Sequence, residues 1–173
     1  MLEKLKESIL YIAEQCKDDQ EFGATKLNKI LFLSDFLAYG AYGQPITGST
    51  YFHLEKGPAP KEMKQAQEEL FAEGRAELEE RPYFNTIQKR IVPSRGSNTS
   101  IFSQKELGLV HDVIVSLRGI GGRKISDWTH NFIPWILTRD REDIPYNTTF
   151  AMFYVPVRRE GIIWGNNEIE KMG

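Results

Sequence analysis

The chain has 173 residues, 40% hydrophobic and 27% charged, a balance that suits one globular domain with a real core and excludes an intrinsically disordered chain. With 22 basic against 24 acidic residues the formal charge is −2 and the pI about 6.0, which argues against nucleic acid as a partner, because a dedicated binder carries a basic stripe and a high pI. The single cysteine, Cys16, cannot form an internal disulfide, no apolar run approaches the roughly 20 residues that span a bilayer, and the opening MLEKLKESILYIAEQ is amphipathic with no secretory pattern. The expectation is therefore a soluble, cytoplasmic protein in a reducing compartment, with no membrane contact.

In chain order, Leu2, Leu5, Ile9, Ile12 and Cys16 recur at helical spacing and predict a first amphipathic helix ending near Lys17. Cys16 falls on the apolar stripe and reads as a small buried hydrophobe. Thr25, after Gly23, is the expected N-cap of a second helix reaching about Tyr39-Gly40. That helix is apolar on two sides, through Leu27, Ile30, Leu31 and Leu37 and through Phe32, Leu33 and Phe36, as a buried central helix would be.

From Ala41 to Pro60 glycine and proline punctuate the chain around a short β-type run, Thr50 to Leu54. Gly57-Pro58-Ala59-Pro60 reads as an extended turn, with Pro60 opening a third helix over Lys61 to Ala72 that stops at Gly74. Arg75 to Pro93 reads as a β-hairpin turning at Pro82-Tyr83-Phe84-Asn85, with an acidic incoming arm and a basic outgoing one. Ser103 and Glu106 form a capping box that opens a fourth helix over Leu107 to Leu117, with Leu107, Val110, Ile114 and Leu117 facing inward. Gly119-Ile120-Gly121-Gly122 ends it. A fifth helix carries Ile125, Trp128, Phe132, Trp135 and Ile136, kinked or ended in its first half by Pro134. Thr148 to Val157 reads as a final strand, and 165–173 as a frayed tail. The prediction is an α+β fold, mainly helical: about five helices around a buried central helix, with a small antiparallel sheet of the hairpin plus the C-terminal strand, in a single domain over 1–173.

Few side chains carry chemistry by their pattern. The glycine run before Lys124 lacks the spacing of a phosphate loop and reads as a helix terminator. His53, His111 and His130 have no Cys or His at metal-ligand spacing, so no metal is expected. Asp127 and His130 share a helical face beside Ser126 and Thr129, but neither a strained nucleophile turn nor an oxyanion hole is signalled. Glu62, Glu68, Glu69 and Glu73 read as a solvated helix face. Arg81, Lys89, Arg90 and Arg95 are the one basic cluster, read either as a solvated hairpin or as a patch for an acidic partner or phosphate backbone. Aromatics at turns and element ends, Tyr42, Tyr83, Phe84 and Tyr146, are of the type enriched in interface anchors.

Thr25-Lys26-Leu27-Asn28-Lys29-Ile30-Leu31-Phe32-Leu33-Ser34-Asp35-Phe36 is followed by Pro45-Ile46-Thr47-Gly48, then Tyr51, then Lys56-Gly57-Pro58-Ala59-Pro60. This resembles the Panacea domain, the SocA-like antitoxin family that includes phage-associated proteins, with its Lys-Leu-x-Lys-Leu-Leu-Tyr-Phe-x-Asp helix, Pro-Ile-Thr-Gly turn and Tyr-Gly-Pro-Val-Pro segment. Here Lys56 stands in place of the tyrosine and Ala59 in place of the valine. Ser126-Asp127-x-x-His130 with Trp135 resembles the family's second block, and the likeness covers residues 5–140.

The resemblance implies an antitoxin of a type II toxin–antitoxin system, in a bacterium or a phage, with phage defence as its setting. It would neutralise a cognate toxin, encoded by an adjacent gene, by direct protein–protein interaction or as an adaptor delivering the toxin to a protease. It implies no catalytic residues and no cofactor. The matched positions Lys26, Lys29, Asp35, Tyr51, Gly57, Pro58, His130 and Trp135 are the candidate motif or partner-binding residues, expected to hold the fold first, with the polar heads of Lys26, Lys29 and Asp35 anchoring the Gly57-Pro58 turn. The rival readings are a hydrolase using Asp127 and His130 and an autoregulatory DNA binder using the basic cluster.

Overall fold

A computed structural model of the chain describes residues 1–152. Its first helix, α1 (Leu2–Gln15), buries Leu5, Ile9 and Ile12 of the predicted stripe, and also Lys6, Glu7, Ser8 and Leu10 away from it. α2 (Ala24–Tyr42) runs through the middle of the molecule, with Leu27, Ile30, Leu31, Phe32, Leu33 and Phe36 all buried. Its N-cap is Gly23, extended and without a side-chain cap, so Thr25 lies inside the first turn rather than at the cap. A Cβ at Gly23 would stand 2.8 Å from Gln88 Cγ of the hairpin, so a residue without one suits the close packing there.

Two short strands follow, β1 (Tyr51–Phe52) and β2 (Ala59–Pro60), paired antiparallel. Pro60 thus closes a strand pair instead of opening a helix, and α3 (Met63–Ala72) begins three residues later. Gly74, in the left-handed region at φ 63°, ends it. β3 (Ala76–Tyr83) and β4 (Thr86–Pro93) form the expected hairpin around Phe84-Asn85, with Ala76 opposite Pro93 and Tyr83 opposite Thr86. The expected cross-strand charge pairing forms between Glu80 and Lys89 at 3.2 Å.

After a 3-10 turn (Thr99–Ile101), α4 (Gln104–Leu117) opens on the complete Ser103/Glu106 capping box. Of its expected inward residues Val110, Ile114 and Leu117 are buried, whereas Leu107 is only half-buried. The expected fifth helix is two: α5 (Gly122–Thr129) ends before the proline, and α6 (Ile133–Ile136) carries Pro134 in its first turn, where its missing N–H costs nothing. A 3-10 turn (Tyr146–Thr148) and α7 (Thr149–Met152) complete the described chain. The final strand expected from Thr148 is therefore helical through Met152, while its remainder and the tail lie outside the described residues. In its place, 141–144 runs along β1, where Arg141 N donates to His53 O, His53 N to Glu142 O and Ile144 N to Tyr51 O.

The architecture is α+β and mainly helical, with seven helices and two two-stranded antiparallel sheets among the described residues. α2 packs on α1, α4, α5 and α7 and on both small sheets. The hairpin is rooted at the C-terminus of α1. Arg90, only 4% exposed, donates to the carbonyls of Asp19 at 2.9 Å, Lys17 at 3.0 Å and Cys16 at 3.2 Å. Its guanidinium also lies 5.4 Å from the ring centroid of Phe22. These carbonyls lie in the turn that follows α1, where those of Cys16 and Asp19 each already accept one backbone N–H, and the guanidinium fills acceptor capacity that burial withholds from water. Arg90→Ala should lower the unfolding free energy by about 2–4 kcal/mol, with Arg90→Lys recovering less than half of the loss. Urea denaturation of the three proteins decides this, and an Arg90→Ala chain as stable as the parent removes the anchor.

Candidate functional site

Three ionisable side chains of α2 are almost without solvent: Lys26 and Lys29 at 1% exposure and Asp35 at 0%. Each fastens a different connector. Lys26 Nζ lies 2.6 Å from Asp19 Oδ2 and donates at 3.0 Å to the Ile120 carbonyl, joining the α1–α2 and α4–α5 connections. Lys29 Nζ donates to the carbonyl of Pro58 at 3.1 Å. Gly57 makes this approach possible, because its φ of 86° is left-handed and an added Cβ would lie 2.7 Å from Lys29 Nζ and 3.0 Å from Thr129 Oγ1. Burial without a carboxylate partner pulls the Lys29 ammonium down to about 7. The Gly57-Pro58 turn is thus held by Lys29, while Lys26 and Asp35 serve other segments.

Asp35 is the acceptor for the segment after α2. It receives Thr47 N at 2.7 Å and the Thr47 hydroxyl in a short bond. The Tyr51 hydroxyl donates to it at 2.8 Å, and the Tyr146 oxygen stands 3.4 Å away while its proton goes to the Ser49 carbonyl at 2.6 Å. Burial pushes the Asp35 carboxyl up, partly countered by these donors, and burial next to that carboxyl pushes the Tyr51 hydroxyl well up. Tyr51 and Tyr146 also pack their rings against Phe36. The donors keep the aspartate satisfied where no water reaches it.

The second block gathers around Trp135. Its indole lies between two imidazoles, His53 with ring centroids 4.0 Å away and His130 at 4.1 Å, both stacked. His53 Nδ1 reaches Thr138 Oγ1 at 3.2 Å. His130 Nε2 and Trp135 Nε1 are buried without a hydrogen-bond partner among the described residues. His130 lines a cleft of about 740 Å³ walled also by the start of α2, α5 and the hairpin tip. The hydroxyls expected near it are committed to backbone: Ser126 Oγ donates to the Lys56 carbonyl in a short bond, and Thr129 Oγ1 to the Ser126 carbonyl at 2.9 Å. No hydrogen bond joins Asp127 to His130 among the described residues, and Asp127 is exposed. Nor do three His, Cys, Asp or Glu side chains meet as a metal site among those residues.

The basic cluster is dispersed. Arg90 is buried beneath α1, Arg81 pairs with Glu79 at 2.7 Å, Lys89 pairs with Glu80, and Arg95 stands exposed beyond the hairpin. On α3, Glu69 and Glu73 bind the buried Lys6 at 3.3 and 2.6 Å, so that helix face is a docking face against α1 as well as a solvated one. No helix among the described residues is long and apolar enough to cross a membrane.

A family model described as the SocA-like antitoxin, Panacea domain, matches residues 27–136, well over half of the chain. The chain belongs to that family. The match contains Lys29, Asp35, the Gly57-Pro58 turn and the His130/Trp135 block, and it begins one residue after Lys26. No curated protein and no solved structure matches the chain.

Asp19, His53, Thr138 and Tyr146 escape sequence reading as parts of this construction. Their partners lie 7 to 111 residues away, and no local period links them. Thr47 is legible only through the family's Pro-Ile-Thr-Gly turn.

The Lys29 ammonium gives the site a pH signature. Between about 7 in the fold and 10.5 in the unfolded chain, the unfolded state holds the extra proton, so raising the pH stabilises the fold; that stability is lost as pH falls through 7. Cys16, raised by burial from 9.0 to about 11, acts in the opposite sense only at higher pH. Unfolding free energy should therefore rise between pH 7 and about 8.5, by at most about 1.4 kcal/mol per pH unit, and Lys29→Met should flatten that slope. Equal slopes in chemical denaturation of the two proteins contradict the assignment.

Proposed function

We propose that this Panacea-domain protein is the antitoxin of a type II toxin–antitoxin pair, acting in the cytoplasm without catalysis. It neutralises a cognate toxin, the product of an adjacent gene, by direct contact. Family membership supports an antitoxin role. The observation that carries the rest of the reading is the state of the family motif: Lys26, Lys29, Asp35 and Tyr51 are each no more than 1% exposed and bonded to the chain's own backbone or side chains. Residues so committed hold a scaffold, which leaves contact with a partner to the surface around them. That surface offers large apolar side chains to solvent, Phe84 at 90% and Ile87 at 61% on the hairpin and Ile136 and Leu137 at 60% and 64% on and after α6. Exposed apolar and aromatic side chains of this kind anchor protein interfaces.

The test is co-expression with the adjacent gene product in a bacterial host, reading colony survival. The intact protein should restore growth by several orders of magnitude, should co-purify with that product at a fixed ratio, and should do so equally in a host lacking its ATP-dependent proteases. Rescue confined to the protease-bearing host turns the protein into an adaptor. No rescue in either host defeats the proposal. Asp127→Asn should rescue as well as the parent, since a hydrolase would lose its activity with that carboxylate.

A further inference from the structure

Resting on the antitoxin reading, we infer that the outer edge of β3 receives an extended, basic strand of the partner protein. The hairpin has two edges in very different states. On the β4 side the connection between α1 and α2 closes in, so that a Cβ at Gly23 would lie 3.4 Å from the Lys89 carbonyl oxygen. On the other side, β3 pairs with β4 alone, and no backbone bond leaves residues 77–83 for any other element among the described residues.

Register shows which groups are unpaired. Arg75 stands opposite Ser94, one step beyond the Ala76–Pro93 pair, and Ser94 N donates to Arg75 O at 2.8 Å. Antiparallel ladders alternate bonded and non-bonded pairs, so the backbone groups of residues 77, 79, 81 and 83 point to β4, and those of Leu78, Glu80 and Pro82 point outward. An incoming strand would find the N–H and C=O of Leu78 and of Glu80 and the C=O of Pro82, a short row fitted to four or five residues of extended chain.

Charge selects the occupant. Glu77 and Glu80 are exposed and Glu79 is half-buried, and the Glu79–Arg81 and Glu80–Lys89 pairs lie at the surface, where such pairs hold weakly. A second copy of this chain would set acid against acid across the new ladder, and Pro82 denies it one donor. Lysine or arginine on alternate residues of a partner strand would instead meet these carboxylates. Leu78, 45% exposed, and Ile87 and Pro82, opposite one another on the same face, form an apolar strip beside that edge, and Phe84 stands at its end.

Amide hydrogen exchange of the free protein and of its complex with the adjacent gene product tests the edge. Exchange at Leu78 and Glu80 should be fast in the free protein and at least about tenfold slower in the complex. Glu80→Pro removes an outward N–H together with the Glu80 carboxylate and should weaken the complex roughly tenfold, whereas Glu80→Gln, which keeps the N–H, should weaken it less. Glu77→Lys/Glu80→Lys, which keeps every backbone donor, should weaken it comparably and more so at low salt. A complex that forms while both amides stay fast, or that tolerates the double charge reversal, overturns the inference and leaves the antitoxin reading standing. Slow exchange at both amides in the free protein also overturns it, because the edge is then already occupied. If the wild-type protein forms no complex at all, it is the antitoxin reading that fails, and the edge assignment falls with it.

Discussion

A carboxylate with no solvent exposure in the middle of an apolar helix is the constraint on which the rest of the fold depends. Asp35 cannot be left without donors, because a buried unpaired charge costs several kcal/mol. Its donors come from two separate places, the 45–48 turn through Thr47 and strand β1 through Tyr51, and the Tyr146 hydroxyl of the segment before α7 stands beside them, 3.4 Å from the carboxylate. None of these segments is long enough to be stable alone. Thr47 also accepts from Ser49 N at 3.1 Å, and Tyr146 donates to the Ser49 carbonyl at 2.6 Å, so the pieces brace one another around the same oxygen atoms. Loss of one donor raises the cost of keeping the others in place, which makes the arrangement cooperative.

Lys26 and Lys29 extend the same logic toward the start of α2. The helix is apolar on nearly all sides and so fixes its own burial. Hydrophobic contact alone would leave its rotation and the paths of the loops over it loosely specified, since apolar packing is not directional. The three polar heads supply direction. Lys26 fastens the loops at one end, Lys29 the Gly57-Pro58 turn, and Asp35 the turn and strand at the other end. This explains why a glycine stands at 57: the turn must pass within reach of a lysine that has no other acceptor among the described residues, and a side chain there would occupy the place of the ammonium.

What sequence reading reached and missed divides along the range of the interactions. The capping box at Ser103, the hairpin around Phe84-Asn85, the stop at Gly74 and the burial of α2 all follow from patterns a few residues long, and the structure has them. The start of α2 and the role of Pro60 do not follow. Thr25 is a good cap by type, yet the cap falls on Gly23, where the chain passes close to Gln88 and Lys89 of the hairpin. Pro60 suits a helix start by type, yet it pairs with Tyr51. Arg90 looks like surface charge on an alternating strand, and only the turn that follows the distant α1 makes it a buried anchor. The motif positions were found through family likeness, but which connector each one holds is set by tertiary contacts that no spacing encodes.

The same division bears on how a protein of this design can change partners. The motif's charges point inward, so substitutions of the exposed side chains at the hairpin tip and around α6, such as Phe84, Ile87, Ile136 and Leu137, leave the buried bonds intact. The hairpin is suited to this because its two halves have different duties. Its base is fixed by Arg90 to three carbonyls of the α1–α2 connection and by Ala76 and Ile91 to the core. Its tip carries Phe84, Ile87 and the outer edge of β3 into solvent. A rigid root reduces the entropy lost when the tip is captured, while the exposed residues near the turn are free to vary in charge and size. A scaffold that fixes its loops from within can present new surface without having to refold around it.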